Sequence, residues 1–210
     1  MSYYDDHEEI LWGWHPRSHN TQQKRRQTMN ANEIIIPCRL SYSHIWEPAS
    51  INGSEPKYSV CCLISKDDTK TLGRINALVK KVIEDGKPIW GGKIPKKLKL
   101  PLRDGDEERD DSVYENMMFL NANSGRMPAI IDRRCQPILD QDEVYSGCYA
   151  NVKISVYPFN KNGNQGVACG LVAVQKTKDG ERLSGSTGID GFDSLDFDDE
   201  EAADGMDYLG

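Results

Sequence analysis

The sequence predicts a mainly β protein: a small five-stranded barrel with one helix, long loops and a disordered acidic C-terminal tail. Three observations lead there. Short apolar runs rich in branched residues recur through the middle of the chain. A single segment repeats at helical spacing. The acidic residues crowd toward the end.

The elements follow in order. "EIIIPCRLSYSHI" reads as a long first strand, with Pro37 marking an edge or a bulge. "WEPASINGSEP" is a loop with an Asn-Gly turn signal. "KYSVCCLISK" is a second strand, apolar enough in its middle to be buried on both faces. A helix is predicted over about 67–85, capped by Asp67 or Asp68 and stopped by Gly86, with Leu72, Ile75, Val79, Val82 and Ile83 on its inner face. A long irregular stretch follows. Short strands are then expected at "NMMFLNAN" and "PAIID", and a hairpin joins "YSGCYANVKISVYPF" to "GVACGLVAVQK" across "NKNGNQG". Strands in that number with a single helix suggest the OB-fold form of small barrel.

Three segments are expected. Residues 1–28 are polar and aperiodic, a disordered leader or an upstream extension if Met29 is the start. The alternative is a functional arm carrying Lys24, Arg25 and Arg26. Residues 29–180 form the barrel domain. Residues 181–210 are too rich in Gly, Ser and Asp to order themselves.

The formal charge is −7, from 26 basic and 33 acidic residues, which at first argues against a nucleic-acid partner. Its distribution reverses that inference. Nine acids lie between Asp190 and Gly210, and without them 24 acids face 26 bases. The six cysteines form no CxxC pair and most sit in apolar runs, so they read as buried small hydrophobes in a reducing compartment. No apolar run is long enough for a membrane span, and the N-terminus has acids where a signal peptide has bases. A cytoplasmic protein is expected.

The candidate binding residues come from alternation and charge. In "ANVKISVYPF", Ala150, Val152, Ile154 and Val156 share one face. Asn151, Lys153, Ser155 and Tyr157 share the other, with Phe159 beyond. A polar strand face with Lys and aromatic rings suits single-stranded nucleic acid, because bases stack on rings while ammonium groups meet phosphate. An ordinary exposed strand is the alternative. The first strand turns Arg39, Ser41 and Ser43 outward by the same rule. Tyr42 falls on the core side unless a bulge flips it. Trp46 and Tyr58 flank the following loop and suit either core or stacking platform. From Lys87 to Arg103 come six bases and no acids: Lys87, Lys93, Lys96, Lys97, Lys99 and Arg103, interleaved with Trp90 and three prolines. That density suggests a segment tracking phosphates, against the plainer reading of a solvated loop. Lys57 and Arg126 complete the candidate DNA-binding set.

Catalytic readings find little support. "RDGDEERDD" offers carboxylates for Mg²⁺, as in a nuclease, but carboxylates crowded in one loop are usually a solvated turn. There is no P-loop, no GxSxG and no Cys–His pair. His15 and His19 have ligand-like spacing without a partner pair.

In order, "KYSVCCLISKDD", "KLPLRDGDEE", "LNANSGRMPAIID" and "YSGCYANVKISVYPFNKNGNQGVACGL", with the acidic end, resemble the phage single-stranded DNA-binding proteins once catalogued as a domain of unknown function. The resemblance covers about residues 30–180 and the general character of the tail. It implies an OB-fold that coats single-stranded DNA without strong sequence preference in replication or recombination, needing no cofactor. It also implies a tail whose acids compete with DNA for the basic groove and whose apolar tip recruits a replication or recombination protein. Tethering would hold those acids near the groove at roughly millimolar effective concentration. The tail candidates are Asp198, Asp199, Glu200, Glu201, Met206, Asp207, Tyr208 and Leu209. An acidic interaction or DNA-mimic protein on a β-barrel scaffold is the alternative. The sequence leaves open a homo-oligomer.

Overall fold

The computed structural model describes residues 30–50, 53–161 and 163–183. The expectations for the leader and for the acidic tail, including its eight candidate residues, lie outside the described residues. The elements are β1 Glu33–Ala49, β2 Lys57–Ser65, α1 Thr69–Asp85, β3 Arg103–Asp104, α2 Gly105–Glu108, β4 Met117–Ser124, β5 Ala129–Ile131, β6 Tyr149–Lys161 and β7 Asn164–Lys178.

Antiparallel pairing runs β4–β2–β1–β6–β7, and β4 meets β7 again in parallel. Five strands thus close a barrel, and the parallel contact between its third and fifth strands gives the OB arrangement. Alternation fills the inside. Ile36, Leu40, Val60, Cys62, Leu120, Val152, Ile154 and Val174 are all buried there. Each such aliphatic contributes on the order of 1.5–3 kcal/mol relative to exposure. Helix α1 packs Ile75, Val79 and Val82 against the same core, while Leu72 and Ile83 are only partly buried.

The predicted elements are present, with instructive differences. Asp68 caps α1, accepting from the Thr71 N–H at 3.0 Å. Gly86 ends it, but in right-handed geometry. Its lack of a side chain is required instead by close approach, since a Cβ would stand 2.8 Å from Pro158 Cβ and 2.9 Å from the Val82 carbonyl. Pro37 lies where β1 pairs with β6 alone, an edge position. The irregular stretch after α1 holds a 3-10 turn, Lys87–Trp90, and then a bridge from Lys99 to Gly166 on β7. Five of the six cysteines are buried; Cys135 is exposed in a turn. Among the described residues, no helix is long and apolar enough to cross a membrane.

Candidate nucleic-acid interface

The outer face of the barrel divides into a covered half and an open half. On the covered half, Cys61 and Leu63 of β2 and Phe119 of β4 point outward, yet all are buried. Tyr114 lies over them, edge to face with Phe119 at a ring separation of 5.3 Å. This is why β2 reads as apolar on both faces. Burial pushes the Cys61 thiol up to about 11, so it stays protonated at neutral pH.

The cover is the acidic hairpin from Arg103 to Asn116. Its carboxylates hold the hairpin together. Lys66 bridges Asp104 and Asp106, both at 2.6 Å, and Asp106 also accepts from the Asn116 N–H. The Lys66 hydrogen bond first, then that backbone donor, keeps the Asp106 carboxyl below its ordinary range. Glu108 pairs with Arg103, and Asp111 accepts from the Val113 N–H. Gly105 is obligatory there, because a Cβ would stand 2.4 Å from the Tyr114 carbonyl oxygen and 2.7 Å from that of Met117.

Beside this cover lies a groove of about 560 Å³, lined by Tyr42, His44, Lys57, Ser59, Asn121, Asn123 and Arg109, with Glu55 at its loop side. Its most telling residue is Tyr42. Simple alternation would send it inward, but its φ is +43° and the pairing of β1 with β2 shifts between Ser41 and His44. The bulge turns the ring out, leaving it 55% exposed. Register carries the surface further around the barrel. His44 faces Ser59, Ser59 faces Asn123, Asn123 faces Gly170, and Gly170 faces Ser155. Tyr157 reaches over Gly170, its ring carbon 3.5 Å from where a Cβ would stand. The row thus runs from Tyr42 to Tyr157 across all five strands.

The sequence-predicted residues fall into four groups. Lys57 lies in the groove and Tyr157 is exposed at the end of the row. Lys93, Lys96, Lys97 and Arg126 are exposed on loops. Lys99 is exposed too, and its ammonium donates to Asn164. Tyr58 and Phe159 are half-buried, with Phe159 lying against Gly166. Trp90 needs correction, and the other residues are engaged within the protein. Trp90 is buried and its indole donates to the Phe159 carbonyl, so the ring is a core element with no face for a base. Trp46 packs on the core and donates to Val144. Arg39 points outward but donates to the carbonyls of Gly147 and Glu181. Lys153 is half-buried against Glu33 at 2.8 Å. Arg103 pairs with Glu108 over the Phe119 ring.

Sequence reasoning missed His44, Arg109, Asn121 and Asn123. The two asparagines were findable, since "LNAN" alternates them with Leu120 and Ala122. Arg109 was obscured by the acids around it.

Comparison with known proteins decides the family. The family profile described as "Enterobacter phage Enc34, ssDNA-binding protein" matches residues 31–205. The chain belongs to that family. "Putative protein p50" of Acyrthosiphon pisum secondary endosymbiont phage 1 is 33% identical over 176 residues, covering 78% of this chain and 93% of that protein. Among solved structures, the single-stranded DNA-binding protein of bacteriophage Enc34 in complex with ssDNA superposes with a TM-score of 0.67. It is 23% identical, with 74% of this chain and 91% of that one covered. The single-stranded DNA-binding protein gp2.5 of bacteriophage T7 gives a TM-score of 0.51 at 14% identity, covering 79% and 98%. These likenesses agree with the OB barrel.

Proposed function

We propose that this protein binds and coats single-stranded DNA during phage replication or recombination, along the row from Tyr42 to Tyr157. The observation that carries this reading is the bulge that forces Tyr42 out into the groove. An exposed ring beside Lys57, with the Asn121 and Asn123 amides on the floor, offers stacking, phosphate charge and adaptable hydrogen bonds together. None of these groups is arranged to demand one base, so strong sequence preference is not expected. Lys96 and Lys97 lead up to Lys99, where the chain bridges β7 at Gly166, near the Tyr157 end of the row. They would receive phosphates leaving the groove.

Titration of a fluorescent oligonucleotide at several salt concentrations tests this. Binding should weaken steeply with salt, and Tyr42→Ala and Lys57→Ala should each weaken it. Unchanged affinity in both variants would remove the groove as the site.

The acidic tail fits the same reading as a competitor for the groove. Deleting residues 190–210 changes the formal charge from −7 to +2. It should tighten DNA binding most at low salt, where screening is weakest. Equal affinity of full-length and truncated protein across salt would end the competition model. Replacing Met206, Tyr208 and Leu209 by Ser should spare DNA binding and abolish capture of a replication protein.

A further inference from the structure

We propose that Arg109 is a phosphate-binding residue of the groove and that the acidic hairpin 103–116 exists to hold it there. This rests on the groove being the DNA site. Arg109 stands on the wall between the covered and open halves and lines the groove. Its guanidinium carbon lies 5.4 Å from the centroid of the Tyr114 ring and 5.3 Å from that of Phe119. Two ring faces therefore restrict a side chain that would otherwise sample many rotamers. Among the described residues the guanidinium has no ion-pair partner, although Glu107, Glu108, Asp110 and Asp111 are its chain neighbours and Glu55 lines the same groove. Glu108 is paired with Arg103, and Asp111 is engaged by the Val113 N–H. The result is a pre-positioned cation whose guanidinium donors have no side-chain or carbonyl partner among the described residues, the arrangement that suits a phosphate.

The hairpin explains why so acidic a segment borders a DNA groove. Lys66 clamps Asp104 and Asp106, and Asp106 fixes Asn116 at the far end of the hairpin. The Arg109 N–H closes the turn on the Gly105 carbonyl at 3.0 Å. Lys66 is thus a positioning residue for Arg109.

The test uses the full chain, a fluorescent oligonucleotide and a salt series, with thermal melting to check each fold. Arg109→Ala should weaken binding about tenfold at low salt and lower the slope of log affinity against log salt by about 0.7, the contribution of one single-strand phosphate. Arg109→Gln keeps a planar head over the rings and should lose the same slope with native melting. Arg109→Lys should keep the slope and lose part of the affinity. Lys66→Met should weaken binding in the wild-type background, add nothing to Arg109→Ala, and be rescued by Lys66→Arg. If Arg109→Ala and Arg109→Gln both leave affinity and slope unchanged while Tyr42→Ala weakens binding, the groove stands and Arg109 is not a contact. If Tyr42→Ala and Lys57→Ala are also silent, the groove reading falls and this inference falls with it.

Discussion

The covered and open halves of the outer face are built from the same strands in the same pleat. Cys61 and Ser59 are two residues apart on β2 and point the same way, as do Phe119 and Asn121 on β4. Cys61 and Phe119 are buried beneath Tyr114, with Cys61 at the groove's edge, while Ser59 and Asn121 lie out in the groove. The strands do not make this difference. The hairpin laid over one half makes it, and composition follows: apolar residues where Tyr114 sits, amides and hydroxyls where it does not. A binding face on such a barrel is therefore defined by where the cover stops.

Removing the cover should produce the largest effect. Tyr114→Ala deletes a ring that is 1% exposed and that closes the second apolar cluster. It should cost about 3–5 kcal/mol of stability in urea unfolding. A loss under about 1 kcal/mol would mean that the halves are not distinguished by burial. Tyr42 gives the opposite signature. Tyr42→Ala should cost about 1–3 kcal/mol of binding for the stacked base lost and change stability by no more than about 0.5 kcal/mol. Because φ at this position is +43°, Tyr42→Gly should lose the same binding while holding or raising stability.

Extending the open half is a smaller matter. Lys96→Ala, Lys97→Ala and Lys99→Ala combined should weaken binding modestly and flatten the salt slope, since each is exposed on the loop near the end of the row. An unchanged slope would end the path before that segment. The smallest effect is in acid. Lys66 holds the Asp106 carboxyl below its ordinary range. The folded form therefore gains stability from Asp106 above the usual carboxylate range and loses it as pH falls through the lowered value. Wild type should exceed Asp106→Asn at neutral pH, by little because the clamp is exposed. The two should converge in acid. A gap independent of pH would show that the charge of Asp106 is not what secures the cover.

Much of this architecture was legible in the sequence because alternation is a local rule. The split of β6 into Val152, Ile154 and Val156 inside and Ser155 and Tyr157 outside needed only the spacing. So did the helix and the strand at Met117–Ser124. The site was less legible for two physical reasons. A bulge shifts the parity of everything beyond it, and nothing local in "LSYSH" announces one at Tyr42. The state of a long cationic or indole side chain depends on partners far away in sequence. Trp90 meets Phe159, Arg39 meets Glu181, and Lys153 meets Glu33. Charge density alone could not separate these from Lys57, whose surroundings are open.

The barrel is closed between β4 and β7 by two residue pairs, Ala122 with Cys169 and Asn123 with Gly170. So short a seam is the natural place for the wall to part. Cys169 stands on it, buried, with its thiol pushed up to about 12. A thiol in that state reacts with an alkylating reagent only when it meets water. The labelling rate of Cys169 would therefore act as a stopwatch for transient opening of the closed wall. Cys148, fully buried just ahead of β6 and far along that strand from Val156, the partner of Cys169, supplies a reference within the same molecule. If Cys169 is modified before Cys148 under native conditions, the seam opens locally, and a single thiol reports a breathing motion that equilibrium unfolding would average away.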